Sequence, residues 1–246
     1  MIDEGKEIAA VVAVAVVLVL LLRTLLFQPF TIPSASMEPN LYEGDYIVIS
    51  KWNYGLSKYS LPVALPFIQG RMFDTAPRRG DVVVFKLPRD NKTDLIKRVV
   101  GLPGDRVQMR HDQLFVNDQP VTAQPVGSVH ADDAKYINGT DKAAEYSETL
   151  PGGRPHLIQD MVEDGLADDT DVFVVPPHHY FMMGDNRDNS EDSRFAMAAG
   201  GVDYVPEENL EGPAAMVLLS WNKGASLWKP WTWLNLRPDR FFKPIK

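Results

Sequence analysis

Two hydroxyls in a turn, a lysine on a strand and a crowded run of charges are the groups in this chain whose types and spacing could do chemistry. The turn is Phe30 to Leu41, FTIPSASMEPNL, with Ser34 and Ser36 between Pro33 and Pro39. A serine there ordinarily makes only local hydrogen bonds. To act as a nucleophile it needs a partner that takes its proton, because the free hydroxyl is weak. Lys97 is the candidate base. On a strand, Leu95, Lys97 and Val99 share one face, and Ile96, Arg98 and Val100 share the other. A lysine between aliphatics on a buried face loses hydration, which lowers its pKa and leaves a neutral amine able to deprotonate a hydroxyl. The same local sequence also fits a lysine at a strand edge whose head reaches water.

The charged run is Gly184 to Arg194, GDNRDNSEDSR. It could be a salt-bridged loop only. As a calcium loop it fails, since Arg187 stands where a third-position ligand belongs and the required glycine is missing. A better use is for Ser190 to orient Lys97 while Asp192 and Arg194 brace the loop. No HExxH pattern is present, so the five histidines read as structural and neither a metal nor a cofactor is expected. The absence of cysteine excludes thiol catalysis and disulfides.

The elements that must position these groups follow from pattern. Ile8 to Leu22 is uninterruptedly apolar, and with Thr24 to Phe27 it predicts a helix of about 30 Å, a transmembrane anchor over 8–27. A cleaved leader is the rival, with small residues at Ser34-Ala35-Ser36; the acidic start MIDEGKE and the length of the run favour an uncleaved anchor. Lys6 and Arg23 leave the orientation undetermined by charge. Residues 51–77 read as an irregular apolar connection in which Leu61, Val63, Leu65, Phe67 and Ile68 either face lipid or pack under a sheet. Strands are predicted at 45–50, 82–87, 95–100, 106–109, 113–116, 171–175, 179–183 and 214–220, with a hairpin across His111-Asp112 and a short helical turn at 206–210. The fold class is therefore mostly β, an antiparallel catalytic sheet in two parts, 28–108 and 173–246, around an inserted β-rich subdomain at 109–172.

Ala131 to Val172 holds 11 acidic against 3 basic residues, which accounts for the whole formal net charge of -8. That stretch reads as solvated and structural. The neutral remainder has no basic face and argues against nucleic acid as a partner. Near the C-terminus, Trp221, Trp228, Trp231 and Trp233 interleave with Lys229, Arg237, Arg240 and Lys243, a composition suited to lipid headgroups, with Trp221 alternatively in the core.

Taken together, PSASMEP around Ser36, RGDVVVF from Arg79, IKRVVGLPGD from Ile96 and GDNRDNSEDSR from Gly184 resemble the four boxes of bacterial type I signal peptidases, in the family's order. The resemblance covers the chain from about residue 20 to its end. It implies a membrane-bound serine endopeptidase at the bacterial inner membrane, single-pass, with its catalytic domain on the periplasmic side. Such an enzyme cleaves signal peptides from exported preproteins after small residues. By that resemblance Ser36 is the nucleophile and Lys97 the base, Ser34 joins the Ser36 N–H in the oxyanion hole, and Ser190 orients the lysine. Asp192 and Arg194 then form a structural ion pair, and Phe30, Ile32, Met37, Leu41, Val84 and Ile96 line shallow substrate pockets. The chain departs from the family in showing one apolar span where many members have two, and in Ala35, where Gly is common. A self-cleaving Ser-Lys repressor would need a DNA-binding domain where the apolar span lies. An inactive tethered β-domain that binds exported chains is the remaining alternative.

Overall fold

The computed structural model describes residues 2–25, 27–57, 71–72, 75–131, 137, 139–163, 165–225 and 229–245. A helix α1 (Ile2–Leu25) leads into strand β1 (Phe27–Thr31), which pairs antiparallel with β2 (Asp45–Ser50). The remaining strands used below are β3 (Val82–Lys86), β4 (Asp94–Gly101), β5 (Arg106–Arg110), β6 (Gln113–Val116), β7 (Thr122–His130), β8 (Lys142–Thr149), β9 (Pro155–Asp160), β10 (His179–Met183) and β11 (Leu210–Ser220).

The main sheet runs β1-β2-β11-β3-β4-β10, with Val205–Pro206 beyond β10 and Lys243–Pro244 paired to β11. Every neighbour is antiparallel, and the register sets Val83 opposite Lys97 and Met183 opposite Arg98. Strand β3 reads VVVF without alternation because both of its faces are covered. Val82 and Val84 join Ile32, Met37, Leu41 and Ile96 in one core, while Val83 and Phe85 join Val99, Tyr180, Met182 and Leu210 in another. Each such side chain, removed from water, contributes about 1.5–3 kcal/mol. The two cores fix β3, and through it β4 and Lys97, against movement.

A separate three-stranded antiparallel sheet, β7-β8-β9, has β8 and β9 in the stretch read as acidic and solvated and β7 just before it. The β5–β6 hairpin turns at His111 and Asp112, both at positive φ (47° and 63°), as a tight two-residue hairpin requires. The expected boundary at 108/109 therefore falls inside β5.

Two expectations need correction. A transmembrane anchor over 8–27 is not found: among the described residues no helix is long and apolar enough to cross a membrane. The expected span had to reach Phe27, but Phe27 opens β1, and α1 begins with Asp3, Glu4, Lys6 and Glu7. The apolar run left between Glu7 and Arg23 is roughly 22 Å of helix, short of the ~30 Å of a bilayer core. The single-pass inner-membrane localisation rested on that anchor and goes with it. The connection carrying Leu61, Val63, Leu65, Phe67 and Ile68 lies outside the described residues, as does Trp228. Of the C-terminal cations, Arg240 turns inward onto Asp45 at 2.5 Å.

Candidate active site

Past β1 the chain turns sharply, and Met37 and Leu41 anchor that turn, both wholly buried in the core under β2 and β3. Ser36 is thereby held at the rim of the core, 7% exposed. Lys97 comes from the middle of β4, 4% exposed, and its Nζ lies 2.5 Å from Ser36 Oγ. Burial pushes the lysine down to about 8, opposed by the carboxylates of Asp192 and Asp185 and assisted by Arg194. A neutral amine is thus accessible near neutral pH, beside a hydroxyl whose proton it can accept.

Ser34 is exposed, its Oγ 3.4 Å from Ser36 Oγ. Ser190 does not reach the lysine directly; its hydroxyl donates to Asp192 Oδ2 at 2.8 Å. Asp192 also accepts from Gly184 N–H at 2.9 Å and from Arg194 Nε and Nη2, both at 2.9 Å. Burial would raise the Asp192 carboxyl; Arg194 and these hydrogen bonds outweigh it and hold the carboxyl below its ordinary value. The ion pair and Ser190 therefore form one buried unit without net charge, in which Asp192 favours the Lys97 ammonium and Arg194 opposes it.

Beside Ser36 opens a cleft of about 80 Å³ lined by Phe30, Ile32, Ser34, Val84, Ile96 and Lys97 among others. Its lining is mostly apolar, and both Ser34 and Ser36 stand at its wall. Four of the six residues expected to line substrate pockets meet here, whereas Met37 and Leu41 support the cleft from within the core.

Several residues that build the site were not singled out from sequence. Arg98, on the face of β4 opposite Lys97, is 1% exposed and pairs with Asp185 through Nε and Nη2, each at 2.7 Å; its Nη1 donates to Gly80 O at 2.6 Å. Asn40 bonds the same Asp185 at 2.7 Å. Asn186 donates its N–H to Ser36 O at 3.1 Å and its amide to Ala35 O at 3.2 Å. An arginine inside an apolar strand was the available signal, since a buried guanidinium demands a carboxylate.

Comparison with known proteins now bears on this geometry. Residues 5–221 match the family described as signal peptidase, peptidase S26. The chain belongs to this family. It is 36% identical over 262 residues to "Signal peptidase I" of Rickettsia canadensis (strain McKiel), covering 99% of this chain and 93% of that one. A Rickettsia typhi (strain Wilmington) protein of the same name is 36% identical over 246 residues, with 92% and 88% covered. A signal peptidase I crystal structure from Enterococcus faecalis V583 is 25% identical and covers 56% of this chain and 97% of its own, with a TM-score of 0.32, too low to bear on the argument. Family membership makes this chain an enzyme, a serine endopeptidase of the signal peptidase I type.

Proposed function

We propose that Ser36 and Lys97 form a Ser-Lys dyad that removes N-terminal signal peptides from exported preproteins, cutting after small residues at Ala-X-Ala sites. The observation that supports this reading is the 2.5 Å approach of Lys97 Nζ to Ser36 Oγ inside a water-poor environment. With the amine neutral, the hydroxyl donates to it, and Ser36 Oγ attacks the scissile carbonyl as its proton passes to Nζ. The Ser36 N–H and the Ser34 hydroxyl receive the oxyanion. Lys97 returns the proton to the leaving amine, which leaves the new N-terminus free and an acyl ester on Ser36. A water deprotonated by the same lysine then releases the acid. The small, mostly apolar cleft next to Ser36 suits a small apolar side chain such as that of alanine. Exported preproteins are the partners in this reading, and the exposed Trp231 and Trp233 are the groups that would meet lipid headgroups.

The test is cleavage of a preprotein whose signal peptide ends in Ala-X-Ala. Ser36→Ala and Lys97→Ala are expected to abolish cutting while circular dichroism stays that of the wild type, and His178→Ala, on the surface, is expected to cut normally. Equal cutting by wild type and Lys97→Ala would remove Lys97 as the base.

A further inference from the structure

Residues 184–187 touch the nucleophile on one side and the small three-stranded sheet on the other. Toward the nucleophile, Asn186 holds the carbonyls of Ser36 and Ala35. Toward the sheet, Arg187 N–H donates to Gln159 O and Gln159 N–H to Asp185 O, each at 2.8 Å, so that β9 bridges this stretch in parallel at Asn186. The Arg187 side chain then enters β8, where Nη2 lies 2.6 Å from Glu148 Oε1. His156 Nε2, from β9, meets the same oxygen at 3.2 Å. All three side chains are buried, at 6%, 2% and 2% exposure for Arg187, Glu148 and His156. Burial would raise the Glu148 carboxyl, but Arg187 and His156 outweigh it and bring it to about 2.

Stability alone does not account for this triad. Desolvating two charges is expensive, and apolar residues of similar volume commonly serve a fold as well or better. What the triad does that apolar residues could not is fix the direction of a guanidinium one residue from the group that holds the Ser36 carbonyl. We propose that Glu148 is a positioning residue for proteolysis: through Arg187 and Asn186 it sets the backbone of Ser36 against Lys97. The small acidic sheet is then a working part of the site. The inference rests on Ser36 being the nucleophile.

The test compares the full chain as wild type, Glu148→Ala, Glu148→Gln, the double variant Glu148→Leu with Arg187→Met, and Ser36→Ala. It reads kcat and KM on an Ala-X-Ala peptide together with Tm. Glu148→Ala strands a buried guanidinium and lowers Tm. The double variant removes both charges and is expected to melt close to wild type, keep KM and lose kcat about 10- to 100-fold, the scale of a small misplacement of reacting groups. Glu148→Gln keeps an acceptor for Arg187 and is expected to retain more kcat than Glu148→Ala at a temperature where both are folded, which decides the matter if the double variant melts early. A double variant that recovers kcat along with Tm, a loss confined to KM, or equal kcat for the Gln and Ala variants overturns the proposal. Activity in Ser36→Ala would overturn the reading of the site and this inference with it; an inert Ser36→Ala beside a fully active double variant overturns this inference alone.

Discussion

A lysine is an unusual base, and the proposed role of Lys97 depends on what its environment supplies. Lys97 is desolvated on every side, yet the carboxylates of Asp192, Asp185 and Glu191 favour its ammonium form, so burial wins only in part and the amine settles at about 8. Since the neutral amine is the reactive form in the proposed mechanism, kcat/KM is expected to fall tenfold per pH unit below about 8 and to level off above it. A pH–rate profile without an acid limb between roughly pH 7 and 9 would separate Lys97 from the chemistry. Lys97 was legible as a candidate from its aliphatic neighbours, although those residues by themselves favoured a snorkelling lysine. What decided the difference was the covering of β4 by Met182 and the 184–194 loop, which no local pattern in β4 reveals.

At the scale of elements, the 184–194 loop is held by close backbone approach. A Cβ on Gly184 would strike Ser190 Oγ and stand 2.5 Å from Ser36 O. Gly184→Ala is therefore expected to cost about 1–3 kcal/mol in denaturant unfolding and to reduce kcat far more than KM, because the displaced atom is in the backbone of Ser36, the proposed nucleophile. The strands at 45–50, 82–86, 94–101 and 179–183 were readable within about a residue, since each has apolar residues on at least one face. The sheet β7-β8-β9 was not. Strand β7 is exposed along nearly its whole length, so it carries no alternation to read. The predicted strand at 171–175 shrinks to Phe173–Val174, because only these residues pair with β5. The Arg98–Asp185 and Arg187–Glu148 pairs join residues 87 and 39 positions apart, which residue spacing cannot reveal.

For the molecule as a whole, the acidic residues are less innocent than their number implies. Burial, then the hydrogen bond with Asp168 and the charge of Asp160, hold Asp112 up at about 7; burial and Asp188 hold Asp160 at about 7 as well. Such carboxyls bind protons more tightly folded than unfolded. Their stabilising contribution is fully present below about pH 4 and is lost as pH rises through about 7. The wild-type Tm is expected to drop between pH 5 and pH 8, and the drop should shrink in Asp112→Asn with Asp160→Asn; parallel Tm curves for the two proteins would contradict this. The same assembly also has a temporal side. Ser36 and Lys97, the proposed nucleophile and base, lie 61 residues apart, and the amide that holds the Ala35 carbonyl follows 151 residues after it. Asp45, in the strand next to the nucleophile's turn, waits for Arg240 near the end of the chain. A nascent chain that reaches only to residue 100 therefore carries Ser36 and Lys97 without Asp185, Asn186 and Asp192, which hold and tune them. On the proposed mechanism, cutting power is expected only once residues 184–194 have been made, a delay of the kind a propeptide usually enforces, written here into chain order.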